Sequence, residues 1–198
     1  MSSEKMENLE IKNEIVELGT ETDIPEILKL QQANLSENLT EEEKQKEGFV
    51  SLTTTEQDLE KIIKNDGVVV VDKENNNLKG YLFSVTLDYA KKISFLDPLI
   101  ENINNVEYKD KNLNEYKCCI LAQTAIEKES RGKGILEKLY AKLKTELISR
   151  GYELGVSEIA EDNKKSLGVH INKIGLKKLG SYVFNNKNWI IVALDLKE

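Results

Sequence analysis

The sequence predicts a single mixed α/β domain, and three observations carry that expectation. Residues 118–126, Cys-Cys-Ile-Leu-Ala-Gln-Thr-Ala-Ile, form a nearly unbroken apolar run of the kind that fills a sheet interior, and a glycine loop and a helix-periodic segment follow at once. Two pairs of β-rich runs flank the asparagine-rich turns Glu74-Asn-Asn-Asn77 and Asn185-Asn186-Lys187. Strand and helix periodicities alternate elsewhere, without internal repeats or low-complexity tracts.

Residues 1–9 are polar and read as a flexible N-terminus, leaving 10–198 as the domain. Residues 11–18 alternate apolar and charged side chains as a first strand does, and Ile24, Ile27, Leu28 and Leu30 recur at helical spacing behind the cap-type residues 20–23. Thr40 with Glu43 reads as a capping box that starts a second helix, and Thr55 starts a third that ends before Asn65-Asp66-Gly67. Residues 68–72 and 80–87 form a hairpin. Residues 89–104 suggest a helix interrupted by Pro98, and 102–117 a polar loop. After strand 118–126, Ile135, Leu136, Leu139, Leu143 and Leu147 mark one helix face that ends at Arg150-Gly151, where glycine suits a left-handed cap. Residues 154–160 make a strand, 163–173 a short helix, and 176–184 and 188–196 two closing strands.

Composition narrows the function classes. The net charge of −7 argues against nucleic acid as the main partner, yet residues 127–178 carry a local +4, which suits a small anionic ligand. Cys118 and Cys119 are adjacent, so a disulfide between them would be badly strained and a tetrahedral metal site lacks ligands. The expectation is a cytoplasmic protein with no metal. The N-terminus lacks the basic-then-apolar order of a signal peptide, and no apolar run is long enough to span a bilayer, so no membrane partner is expected.

The loop Arg131-Gly132-Lys133-Gly134 lies between the apolar strand and the helix, where free backbone N–H groups collect at a helix N-terminus and bind anions. Arg131 and Lys133 could add charge-assisted contacts. From these residues alone a phosphate site and a plain strand-to-helix turn both fit. The loop has neither the Lys-Ser/Thr ending of a Walker A motif nor the third glycine of the dinucleotide fingerprint.

The stretch Ile126-Glu-Lys-Glu-Ser-Arg131-Gly132-Lys133-Gly134-Ile135 resembles the acyl-CoA loop of the GNAT superfamily of N-acyltransferases, with Leu136 where that family prefers Gly or Ala. Downstream, Asn163-Lys-Lys-Ser166-Leu-Gly-Val-His170 resembles the family's segment after its fifth strand, with His170 where Tyr is usual. Ile174-Gly175-Leu176 resembles the family's Leu-Gly-Phe at the closing hairpin. The resemblance covers the last 85 or so residues well and the earlier ones only through element order. It implies a central, mostly antiparallel sheet of six to seven strands, splayed at the acyl-CoA site and flanked by helices. It also implies direct transfer of an acetyl or other short acyl group from acyl-CoA to a primary amine on a small molecule or peptide.

On this resemblance, the pantetheine arm pairs with the backbone of Thr124, Ala125 and Ile126, and the pyrophosphate sits on the N–H groups of Arg131, Gly132, Lys133, Gly134, Ile135 and Leu136. Leu136 is tolerated if its side chain turns into the core beside Leu139 and Leu143. Asn163 and Ser166 are candidates to bond the pantetheine, although both residue types also cap helices. His170 is the candidate acid, since an imidazole titrates near pH 6.5; a helix histidine packed on Leu167 or Ile171 fits equally. Glu127 and Tyr182 are candidate bases, and Phe49 and Phe83 candidate acceptor walls or core residues. A catalytically weak or inactive CoA-binding or partner-binding module of the same fold is the alternative; an unrelated nucleotide-phosphate binder is a third. A homodimer remains open.

Overall fold

The structure, a computed structural model, describes residues 14–198, so the N-terminal nine residues and the start of the expected first strand lie outside it. Seven strands form one sheet: β1 (Glu14–Leu18), β2 (Gly67–Glu74), β3 (Asn77–Thr86), β6 (Cys118–Ile126), β7 (Leu154–Ala160), β8 (Lys177–Phe184) and β9 (Lys187–Asp195). Their spatial order is β1-β2-β3-β6-β7-β9-β8. Every pairing is antiparallel except β6 with β7. This is the mostly antiparallel sheet that the resemblance implied.

Both faces of the sheet are covered. Val69, Val71, Phe83, Ile120, Val156 and Ile191 point into one core, shared with α1 (Ile24–Asn34), α3 (Glu56–Lys61) and α5 (Asp97–Ile103). Val68, Val70, Leu121 and Val192 point into the other, filled by Leu136, Leu139, Leu143 and Leu147 of α6 (Ile135–Ser149). Double coverage explains why β2 and β6 read as continuous apolar runs. Burying one such leucine is worth about 2 kcal/mol, so α6 is held mainly by this stripe.

Local chemistry sets the boundaries. Thr40 caps α2 (Glu41–Glu47) in a capping box with Glu43, and Thr55 caps α3 with Asp58. The third helix runs further than expected, through a wide turn over Ile62–Asp66. The hairpin turns are tighter than expected, because Asn75, Asn76, Asn185 and Asn186 all take positive φ, which lets two residues close each turn. Pro98 does not interrupt a helix. It sits in the first turn of α5, where its fixed φ is favourable, and a separate short helix α4 (Leu87–Ala90) precedes it. The expected polar loop contains a small hairpin, β4 (Glu107–Tyr108) with β5 (Lys111–Asn112), pinned by Tyr108 Oη donating to Asp195 at 3.0 Å. Cys118 and Cys119 are buried free thiols, and burial pushes both up to about 12. No helix among the described residues is long and apolar enough to cross a membrane.

Candidate active site

The parallel pairing of β6 with β7 covers only Cys118 to Ile120 opposite Leu154 to Val156. Ser157 then donates its hydroxyl to Leu121 O at 2.7 Å, and the strands part. A register shift in the β3–β6 ladder leaves Ala122 as the bulged residue, which bends β6 away from β7. The ladder with β3 nevertheless continues to Ile126. From Ala122 onward, therefore, one edge of β6 has no strand partner and faces a cleft of about 280 Å³.

The glycine loop closes one end of this cleft. Gly132 and Gly134 have φ of 75° and 81°, left-handed values that disfavour any side chain, and no atom lies within 4 Å of where a Cβ would stand on either. The first backbone N–H of α6 held by its own helix belongs to Lys138, on Gly134 O at 3.1 Å. The N–H groups of Ile135, Leu136 and Glu137 are thus left at the positive end of a 15-residue helix. Leu136 is buried in the core with Leu139 and Leu143, as its helical spacing implied.

Arg131 behaves differently from the expectation of a charged ligand contact. Its guanidinium donates to Glu47 Oε2 at 2.5 Å, to Asn34 Oδ1 at 2.6 Å and to Ile126 O at 3.2 Å. All three nitrogens are engaged, and the Arg131 ion pair holds the Glu47 carboxyl below its ordinary range. The side chain ties the ends of α1, α2 and β6 together.

A narrower throat of about 90 Å³ opens off the cleft between the parted strands, and the two share Phe49, Val50, Thr124, Ser166 and His170. Asn163 Nδ2 donates to Phe49 O at 2.8 Å while its Oδ1 accepts from Ser166 N at 3.3 Å, so it caps α7 (Lys164–Val169) and anchors the throat wall. His170 is 5% exposed, with its ring set edge-on to Tyr140 at 5.6 Å between centroids. Its ring therefore packs on Tyr140 of α6. Its Nδ1 lies 2.8 Å from Ser166 O. A carbonyl can only accept, so Nδ1 carries the proton and Nε2 a lone pair. Burial pushes this imidazole below its ordinary value.

The throat also contains a carboxyl that the sequence reading passed over. Glu158, half-buried on β7, is pushed up to about 7 by burial and accepts a hydrogen bond from Tyr182 on β8. Tyr182 is correspondingly raised by burial and by that carboxylate, and it reaches the site only through Glu158. Glu127 is the opposite case. Its Oε2 takes Lys79 Nζ at 2.8 Å and Ser130 Oγ at 2.8 Å, which hold it below the usual carboxylate range, and it lines a different hollow.

The model of the Acetyltransferase (GNAT) family matches residues 35–176. The chain belongs to the GNAT family of acetyltransferases. Its fold is similar to that of an N-acetyltransferase from Staphylococcus aureus Mu50, with a TM-score of 0.62 at 19% identity, covering 93% of this chain and 99% of that one. It is also similar to yncA from Salmonella typhimurium, solved with its cofactor acetyl-CoA (0.61, 15%, 94% and 95%). The ribosomal-protein-S18-alanine N-acetyltransferase from Escherichia coli gives 0.60, 14%, 93% and 94%. At these identities the likeness is one of fold. No curated protein matches the sequence significantly.

Within this GNAT chain, Thr124, Ala125, Ile126, Arg131, Gly132, Gly134, Ile135, Leu136, Ser166 and His170 all line the one cleft. Lys133 does not, and Asn163 lines the throat instead. Phe49 borders both spaces, whereas Phe83 is fully buried core stacked on Tyr81.

Proposed function

We propose that the chain moves an acetyl group from acetyl-CoA directly to a primary amine, with Glu158 as base. The observation that carries this reading is a carboxyl raised to about 7, set in a throat that opens onto the cleft beside the glycine loop. The cleft fits acyl-CoA on three counts: an unpaired β6 edge for the pantetheine amides, free N–H groups at α6 for the pyrophosphate, and open space above Gly132 and Gly134. Thr124 to Ile126 would hold the arm, and residues 132–136 the phosphates through their backbone. Ser166 lies beside the arm's path, and Asn163 positions the wall. Acetyl-CoA supplies an activated acyl carbon whose leaving group is a thiolate.

The chain's own groups handle the protons. An amine arrives as an ammonium, and the Glu158 carboxylate removes one proton to free the nucleophilic lone pair. On attack the nitrogen becomes cationic again and strongly acidic, and the unprotonated Nε2 of His170 takes its second proton. The imidazolium so formed, disfavoured by burial, returns that proton to the departing sulfur. His170 thus acts as an acid only after it has acted as a base.

The test is amine-dependent release of free thiol from acetyl-CoA, with acetyl-CoA also raising the melting temperature. Stabilisation without release across a broad panel of amines would instead support a CoA-binding module. Equal stabilisation by ATP would point to a nucleotide-phosphate site.

A further inference from the structure

Glu158 is supported from the edge of the sheet. The edge strand β8 pairs with β9 through a bulge: Lys178 lies opposite Val192 and Gly180 opposite Ile191, which leaves Leu179 unpaired. Side chains alternate between sheet faces, so one extra residue flips every later one. Without the bulge Tyr182 would stand opposite Asn188; with it, Tyr182 stands opposite Trp189. Across β9, Trp189 faces Ala160, two residues along β7 from Glu158, so Tyr182 and Glu158 emerge on one sheet face. β9 runs between them. Two strand spacings come to about 9.5 Å, a gap that a tyrosine and a glutamate close together and that a serine or threonine hydroxyl is too short to reach.

The two oxygens of Glu158 differ as a result. Tyr182 Oη donates to Oε2, and among the described residues no other group donates to this carboxyl and no lysine or arginine lines the throat. The buried side-chain polar atoms without a partner are Asp72 Oδ2, Ser84 Oγ and Trp189 Nε1. Glu158 Oε1 makes no hydrogen bond either, yet it is not one of these, so it keeps an open face in the throat that Glu158 lines. The other titratable side chains facing the throat are Tyr140 of α6 and His170. Lys187, beside the Phe49 ring at the throat wall, is paired with Asp162 at 3.6 Å, and Asp97 and Glu101 of α5 share a separate hollow with Tyr182.

We infer that Tyr182 is a positioning residue for the base: its hydroxyl fixes one oxygen of Glu158, leaves the other open to the amine, and keeps the carboxyl able to accept a proton at neutral pH. This rests on the acetyl-transfer reading above. Burial drives a carboxyl toward its neutral form, which takes no proton, whereas a donated hydrogen bond favours the charged form. With no cation in the throat and one donor, that second effect belongs to Tyr182 alone.

Tyr182→Phe keeps the ring that packs on the core and removes only the hydroxyl. In protein labelled with carbon-13 at glutamate Cδ, the resonance that Glu158→Gln deletes reports this carboxyl without acceptor or turnover. Its titration midpoint should move alkaline by about one pH unit in Tyr182→Phe, a tenfold change in proton affinity. Thiol release from acetyl-CoA with the fastest amine of the panel should follow. Relative to the parent, kcat/KM of Tyr182→Phe should fall about tenfold at pH 6 and recover as pH rises past both midpoints, a ratio that cancels titration of the amine itself. Placing 3-fluorotyrosine at position 182, a stronger donor of nearly the same shape, should move the midpoint the other way, which keeps the test decisive if Tyr182→Phe does not fold. A midpoint that neither change moves, or a rate deficit equal at every pH, overturns the inference. The expected midpoints with no release from any amine overturn the acetyl-transfer reading beneath it.

Discussion

Replacing Glu158 with Gln tests the base directly, because stability and rate should move in opposite directions. The folded protein holds the Glu158 proton up to about 7, against an ordinary value of 4.5. Between those two pH values the folded state binds a proton that the unfolded state has released. The carboxyl therefore favours folding at low pH, and that contribution is lost as pH rises through the window. A difference of this size corresponds to at most about 3 kcal/mol, and partial solvation of the side chain reduces it to about half. Glu158→Gln removes the titrating group while keeping an oxygen for the Tyr182 hydroxyl. Its melting temperature should gain on the parent by about 3 to 8 °C between pH 5 and pH 8. Over the same range the parent kcat/KM should rise with an apparent pKa near 7, and the variant should lose about 100-fold or more together with that limb. Differential scanning fluorimetry and thiol-release rates across pH measure both. A variant that kept the parent rate and pH profile would refute the assignment, as would a melting-temperature gap that narrowed with pH.

Other substitutions address other parts of the site. Gly134→Ala forces a side chain into φ of 81°, so it should cost about 1 to 2 kcal/mol of stability and raise the KM for acetyl-CoA, read by thermal melts and steady-state kinetics. Glu47→Gln breaks the ion pair that holds Arg131. If Arg131 positions the ends of α1, α2 and β6, the Kd for acetyl-CoA by calorimetry should stay level or weaken; tighter binding would show that the freed guanidinium is a phosphate ligand. His170→Phe retains the edge contact with Tyr140 but lacks Nε2, so kcat should fall about 100-fold or more with little change in acetyl-CoA affinity.

The parts of the fold legible in the sequence are those whose cause is local. Strands 118–126 and 154–160 were readable to the residue, because a buried sheet interior demands an apolar run and turn residues bound it. The capping box at Thr40 and the helix start at Thr55 likewise announce themselves within four residues. The small hairpin after α5 was hidden because Lys109 and Asp110, unlike an Asn-Gly pair, give no turn signal while adopting positive φ. The chemistry of the site was less legible still. Glu158 reads as one outward-facing polar residue in a strand, and only its burial in the folded chain, which outweighs the opposing hydrogen bond from Tyr182, gives it an unusual proton affinity. Arg131 reads as a phosphate ligand until its partners appear, and they lie 84 and 97 residues away. The glycine loop, by contrast, could be placed from sequence because strand, left-handed glycines and helix are consecutive.

Thiol release from acetyl-CoA, followed with and without a primary amine, bears most directly on acetyl transfer at the junction of cleft and throat. Amine-dependent release that rises with pH toward 7 and disappears in Glu158→Gln is the expected result. Binding of acetyl-CoA with no release across a broad range of amines would contradict it.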